Sequence, residues 1–122
     1  MKTLLLIGAI NAALAVVMGA FGAHGLKARV DAALLETWAT ASLYHFHHAL
    51  ALLLVGVLAR QFSGSGFIAA GWTLFAGMLI FSGSLYLLVL TGQRWLGAIT
   101  PIGGTAMIAG WLMLAWAVYR NA

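Results

Sequence analysis

Four histidines carry most of the chemical potential of this chain: three fall within Tyr44-His45-Phe46-His47-His48, and the fourth is His24. Imidazole titrates near neutral pH and is the commonest side-chain metal ligand. At 100° per residue on a helix, His45 and His48 lie about 60° apart and Tyr44 and His48 about 40°, whereas His47 points about 160° away from His45. Tyr44, His45 and His48 therefore share a face, with Trp38 nearly eclipsing His45. Three chemistries fit. A metal or haem site would use neutral nitrogens of His24, His45 and His48, with Glu36 as a carboxylate ligand or orienting group. A proton-handling site would use the same imidazoles with the Tyr44 hydroxyl as a neighbouring donor. Imidazoles tied to backbone, hydroxyls, water or headgroups would have no further role. The i, i+3 spacing suits ligation but also arises by chance, and no His-Glu-x-x-His pattern accompanies it. The sequence names no cofactor.

A second polar set consists of Asn11, Ser82, Ser84 and Tyr86. Each lies within an apolar stretch, so the expectation is interhelical hydrogen bonding, worth about 0.6 kcal/mol per bond on average in a membrane. The functional alternative is a polar pocket at mid-membrane depth closed by Tyr86, as a small transporter or channel would have. No arrangement of acid, base and nucleophile is present, and enzymatic activity is not expected.

The elements that must position these groups follow from composition. Of 122 residues, 64% are hydrophobic and 7% charged, against about 25% charged in an ordinary soluble domain. Mean hydropathy is +1.05. Eight charged side chains cannot coat a water-facing globule of this size, so lipid must be the solvent for most of the exterior. Four apolar segments of spanning length can be marked, at about 3–23, 38–59, 67–90 and 95–119. The expected fold is all-α, a single polytopic domain forming a four-transmembrane-helix bundle. Between the first two spans, Leu26, Val30, Leu34 and Trp38 recur at four-residue steps, so this connection is expected to form a short interfacial helical segment or to lengthen the second helix. All four histidines should then lie toward one leaflet.

The N-terminus resembles a signal peptide, but its charge-free stretch exceeds a typical apolar core of that kind and three similar stretches follow, so it is expected to be retained as the first span. The net charge of +4 does not imply a nucleic-acid partner, because the basic residues sit singly at the ends of apolar runs. Absence of cysteine excludes disulfides and thiolate chemistry. Trp38, Trp72, Trp95, Trp116 and Tyr119 lie near span ends, as an aromatic belt would place them. Four spans put both termini on one side. Lys2, Arg60 and Arg120 then oppose Lys27, Arg29 and Arg94, a tied count that Asp31 and Glu36 tilt weakly toward cytoplasmic termini.

Fifteen glycines in such helices call for close helix contact, in a tight bundle or in a homo-oligomer or complex with another membrane protein. Pro101 fits either the start of the fourth helix, where its missing donor costs nothing, or a helix break facing a cavity. The small multidrug-resistance transporters also have four spans, but they rely on a first-helix glutamate, where this chain offers Asn11.

Four ordered motifs are recognisable: Gly19-Ala20-Phe21-Gly22-Ala23-His24-Gly25-Leu26, Tyr44-x-x-x-His48-Ala49-Leu50-Ala51, Phe81-Ser82-Gly83-Ser84-Leu85-Tyr86 and Thr100-Pro101-Ile102-Gly103-Gly104. Together they closely resemble the domain-of-unknown-function family 423, small bacterial inner-membrane proteins related to the transmembrane protein 256 family. The resemblance implies a four-helix protein of the cell inner (plasma) membrane without an established activity. Its motif positions fall on His24, Tyr44, His48, Ser82, Ser84, Tyr86 and Pro101, so His24 with His48 is the histidine pair it singles out, with His45 and His47 outside the pattern.

Overall fold

A computed structural model describes residues 1–121 as four long helices: α1 (Lys2–Phe21), α2 (Ala32–Gln61), α3 (Gly66–Thr91) and α4 (Thr100–Asn121). All four, with their flanking turns, are long and apolar enough to cross a membrane. A π-helical turn, Gly22–Leu26, extends α1, and a 3-10 turn, Arg94–Ala98, precedes α4.

Local chemistry explains the boundaries. Asp31 is extended and its carboxylate accepts a hydrogen bond from the Leu34 amide at 2.9 Å, the N-cap that starts α2. Because that cap lies so early, the stretch from Ala32 on, with Glu36, lengthens the second helix, while Lys27, Arg29 and Asp31 lie in the turn before it and form no separate interfacial helix. At 30 residues, α2 is about 45 Å long and outreaches a hydrocarbon layer of about 30 Å. At the far end of α3, Gly92 adopts φ +73° and its amide bonds to the Leu88 carbonyl, a left-handed stop that favours glycine. Pro101 is the second residue of α4, following the 3-10 turn. The helix begins there, so Pro101 marks a start and breaks nothing.

The helices do not close into a square. α2 and α3 are central; α1 packs along α2 and touches α3, whereas α4 packs chiefly on α3. Glycines set the close approaches. A Cβ on Gly77 would come within 2.7 Å of the Met107 amide nitrogen, and one on Gly8 within 3.0 Å of the Ala49 carbonyl, so bare backbone is required where α3 meets α4 and where α1 meets α2. Two apolar clusters result. Leu4, Leu52, Val55, Phe67, Leu74 and Leu114 form one near the termini, while Leu26, Trp38, Ala41, Tyr86 and Val89 form the other toward the α1–α2 connection. Trp38 departs from the belt expectation: it is 2% exposed, and its indole N–H donates to the Met18 carbonyl at 2.7 Å.

Candidate polar site between the helices

Between the two apolar clusters lies a layer of buried polar side chains, and α2 supplies its hub. Asn11 Nδ2 donates to the Ile7 carbonyl at 2.9 Å, so its Oδ1 faces His45 Nε2 at 3.0 Å. An amide turned the other way would set oxygen against oxygen. Nε2 of His45 therefore carries the hydrogen, and in the neutral ring Nδ1 accepts from Tyr86 Oη at 2.9 Å. Tyr86 Oη also lies 3.4 Å from Ser42 Oγ. A directional chain runs Tyr86 to His45 to Asn11 to the Ile7 carbonyl, joining α3, α2 and α1, with Ser42 Oγ as a second acceptor within reach of the Tyr86 hydroxyl.

This chain accommodates a second protonation state. In an imidazolium both ring nitrogens donate; Tyr86 Oη then accepts from Nδ1 and turns its own hydrogen toward Ser42, so rotation of one hydroxyl satisfies every group. His48 has no such freedom. Its Nε2 accepts from the Trp111 indole N–H at 3.0 Å and its Nδ1 donates to the Tyr44 carbonyl at 2.8 Å. A proton on Nε2 would abolish the bond to Trp111. One histidine of α2 thus ties α1 and α3, and the other ties α4.

The remaining sequence candidates separate into distinct roles. Ser82 Oγ donates to the Ala41 carbonyl at 2.8 Å, a second α2–α3 tie beside His45. Ser84 lies off the network and meets Thr100 Oγ1 at 2.6 Å, joining α3 to the first turn of α4. Tyr44 is partly exposed, with its ring stacked near His48 and Phe81 and its carbonyl serving His48. His45 and His48 share the buried face as the spacing requires, while His47 is exposed on the opposite side.

The structure does not bring the candidate metal ligands together. Among the described residues no group of three or more His, Cys, Asp or Glu side chains is gathered as an ion would need. Gly22 packs against Trp38, which sets His24 at the level of the first turns of α2, and His48 lies ten residues further along, about 15 Å. Two ligands of one ion lie no more than about 4 Å apart. His24 is exposed, and the nitrogens of His45 and His48 are already engaged. The four histidines therefore do not gather at one leaflet, because His45 and His48 sit in the middle turns of a helix longer than its apolar run suggested.

A cavity of about 170 Å³ adjoins the network, lined by Asn11, His45, Ser82, Gly83 and Tyr86 with apolar neighbours. A more open groove of about 570 Å³ runs between α1 and α2 past Gly19, Ala23, Lys27 and Ser42. Trp111, Ser42 and Thr100 are the hydrogen-bonding partners that residue type alone did not pick out. Trp111 did carry a signal: it falls deep inside the fourth span, where an aromatic belt has no use for it.

The model of a protein family described as "Protein of unknown function (DUF423)" matches residues 18–104. The chain is 50% identical to UPF0382 membrane protein YwdK of Bacillus subtilis over 121 residues, 98% of each chain. It is 49% identical to a UPF0382 membrane protein of Staphylococcus aureus over 125 residues, all of this chain and 99% of that one. A third such protein, from Staphylococcus saprophyticus, is 47% identical over 98% of this chain and 99% of its own. No solved structure matches.

Proposed function

We infer that this chain, which belongs to the DUF423 family, acts as a structural, assembly or interaction protein of the inner (plasma) membrane, with both termini cytoplasmic. The observation that supports this reading is how its polar groups are spent. Asn11, His45, His48, Ser82, Ser84 and Tyr86 each hold one helix to another, and among the described residues no buried side-chain nitrogen or oxygen lacks a partner. A site built to turn over a substrate keeps donors and acceptors free for it; here they are consumed in making the helices one body. Such a body works through its outer faces, on a second copy or on another membrane protein.

Native mass spectrometry of gently extracted protein, paired with crosslinking inside the membrane, tests this. A defined homo-oligomer or stoichiometric complex is the expected result. A monodisperse monomer in both measurements overturns it.

A second reading rests on the cavity beside His45. Its polar wall of Asn11, His45, Ser82 and Tyr86, together with the two protonation states the network accepts, suits passage of a proton or a small polar solute. Reconstituted vesicles loaded with a pH-sensitive dye would acidify under an imposed gradient; proton flux equal to that of empty vesicles removes the proton form of this reading.

A further inference from the structure

His47 occupies a position that a lone bundle in lipid does not favour. It lies 15 residues from Ala32 and 14 from Gln61, the two ends of α2, so it is about 21 Å or more from either end of the helix. Yet it is exposed, on the face opposite His45. Ionisable side chains at membrane depth almost always face the bundle interior or a water-filled cavity, and hydrocarbon offers imidazole neither donor nor acceptor.

The residues around His47 form a pattern. Thr40, Leu43, His47, Leu50, Leu54 and Val57 are all exposed and follow one another at alternating steps of three and four. Lipid requires only that such a face be apolar. Three-four steps are those of any exposed helix face, and Ile102, Thr105, Ala109, Leu112, Trp116 and Tyr119 of α4 repeat them; what sets the α2 face apart is His47, because one polar residue within a helix–helix seam fixes register at some cost in stability.

We propose that this stripe of α2 is the contact between two copies of the chain, with His47 hydrogen-bonded to the partner's His47 across a two-fold axis. This rests on the interaction reading above and names its surface. A second copy fits because the chemistry is self-complementary: a neutral imidazole has one donor and one acceptor, so either of two identical rings can donate to the other through one N–H···N bond. The stripe likewise matches itself, as an isologous interface must. Because His47 lies at the centre of α2, the pairing holds whether the two copies insert in the same or the opposite sense. None of the stripe is engaged in the interhelical network of the fold, since His45 and His48 face inward.

The chain lacks cysteine, so single-cysteine variants of the full-length protein report directly. In native membranes, L43C and L50C are expected to crosslink to themselves if the copies are parallel, or L43C to L50C if antiparallel. V16C on α1 and L112C on α4, equally exposed, are expected to stay monomeric. In vesicles, H47L should weaken self-association about three- to fifteenfold, the loss of one hydrogen bond within a membrane, while H47N, which retains a donor and an acceptor, should restore most of it. Crosslinks confined to α1 or α4, or to a heavier foreign protein, overturn this seam and leave the broader reading standing. Monomers at every position overturn both, and an H47L variant that associates like the parent removes the role of His47.

Discussion

Tyr86 Oη and His45 Nδ1 meet at 2.9 Å in the interior of the bundle, and this buried contact joins the two central helices. A hydrogen bond there competes with few alternatives, but its measured net worth in membranes is modest because the separated helices also find partners. What raises the stakes is connectivity. Removing either partner leaves others unpaired, Asn11 and Ser42 among them, and an orphaned buried group costs about 1–3 kcal/mol.

Tyr86→Phe is therefore expected to destabilise the bundle by about 1 kcal/mol and His45→Ala by about 2–3 kcal/mol, the larger value reflecting two orphaned partners and lost packing. The pair should couple by about 0.6–1.7 kcal/mol in a double-mutant cycle, read from reversible unfolding in bicelles. Strict additivity would show that the 2.9 Å contact carries no energy of its own.

The two buried histidines should be opposite tautomers. Asn11 Oδ1 requires a hydrogen on Nε2 of His45, whereas the Trp111 indole requires a bare Nε2 on His48. Nitrogen chemical shifts of ring-labelled protein in lipid, measured by solid-state NMR, distinguish these forms. Trp111→Phe should perturb only the His48 signals. Two identical tautomers in the parent protein would refute the assignment of both networks.

How much of this was readable beforehand depended on periodicity. Hydropathy marked four spans because lipid imposes length and apolarity on any segment that crosses it, and 100° geometry put His45 and His48 on one face. Contacts between helices were not readable in the same way. Asn11, Tyr86 and Trp111 lie tens of residues from their histidine partners, and no local pattern encodes which helix neighbours which. The charged connection was ambiguous because four-residue steps suit a surface helix and a longer α2 equally; the Asp31 cap decides it. Trp38 shows the limit of the belt rule, since a tryptophan near a span end fits an interface or, with the Met18 carbonyl available, a buried bond.

Pro101 gives a simple test of the α4 start. At the second residue of a helix its ring costs no intrahelical bond, so Pro101→Ala should change stability by no more than about 0.5 kcal/mol. A proline breaking a helix interior would cost about 3 kcal/mol, and its removal would lengthen the helix. Unchanged unfolding together with unchanged helical circular dichroism is expected, and a clear gain of both would reinstate the break.

Glycine positions should divide sharply by what faces them. Gly77 and Gly110 meet α4 and α3 respectively so closely that a Cβ would come within 2.7 Å of Met107 atoms in one case and of the Leu74 side chain in the other, whereas Gly19 and Gly83 have nothing within 4 Å. Added methyl groups at the first two positions must push helices apart, at a typical overpacking cost of about 1–3 kcal/mol each. Alanine at Gly19 or Gly83 meets open space and gains helix propensity of about 1 kcal/mol at most. Thermal unfolding in lipid of the four single alanine variants should therefore give two losses and two neutral or stabilised proteins. Gly77 also faces the Gly103 carbonyl, so the Gly77→Ala loss should not be relieved by trimming Met107, whereas Gly110→Ala should be partly rescued by Leu74→Ala, because there the obstacle is mainly a side chain. A uniform response across all four would mean that the helix spacing is set by something other than these bare backbones.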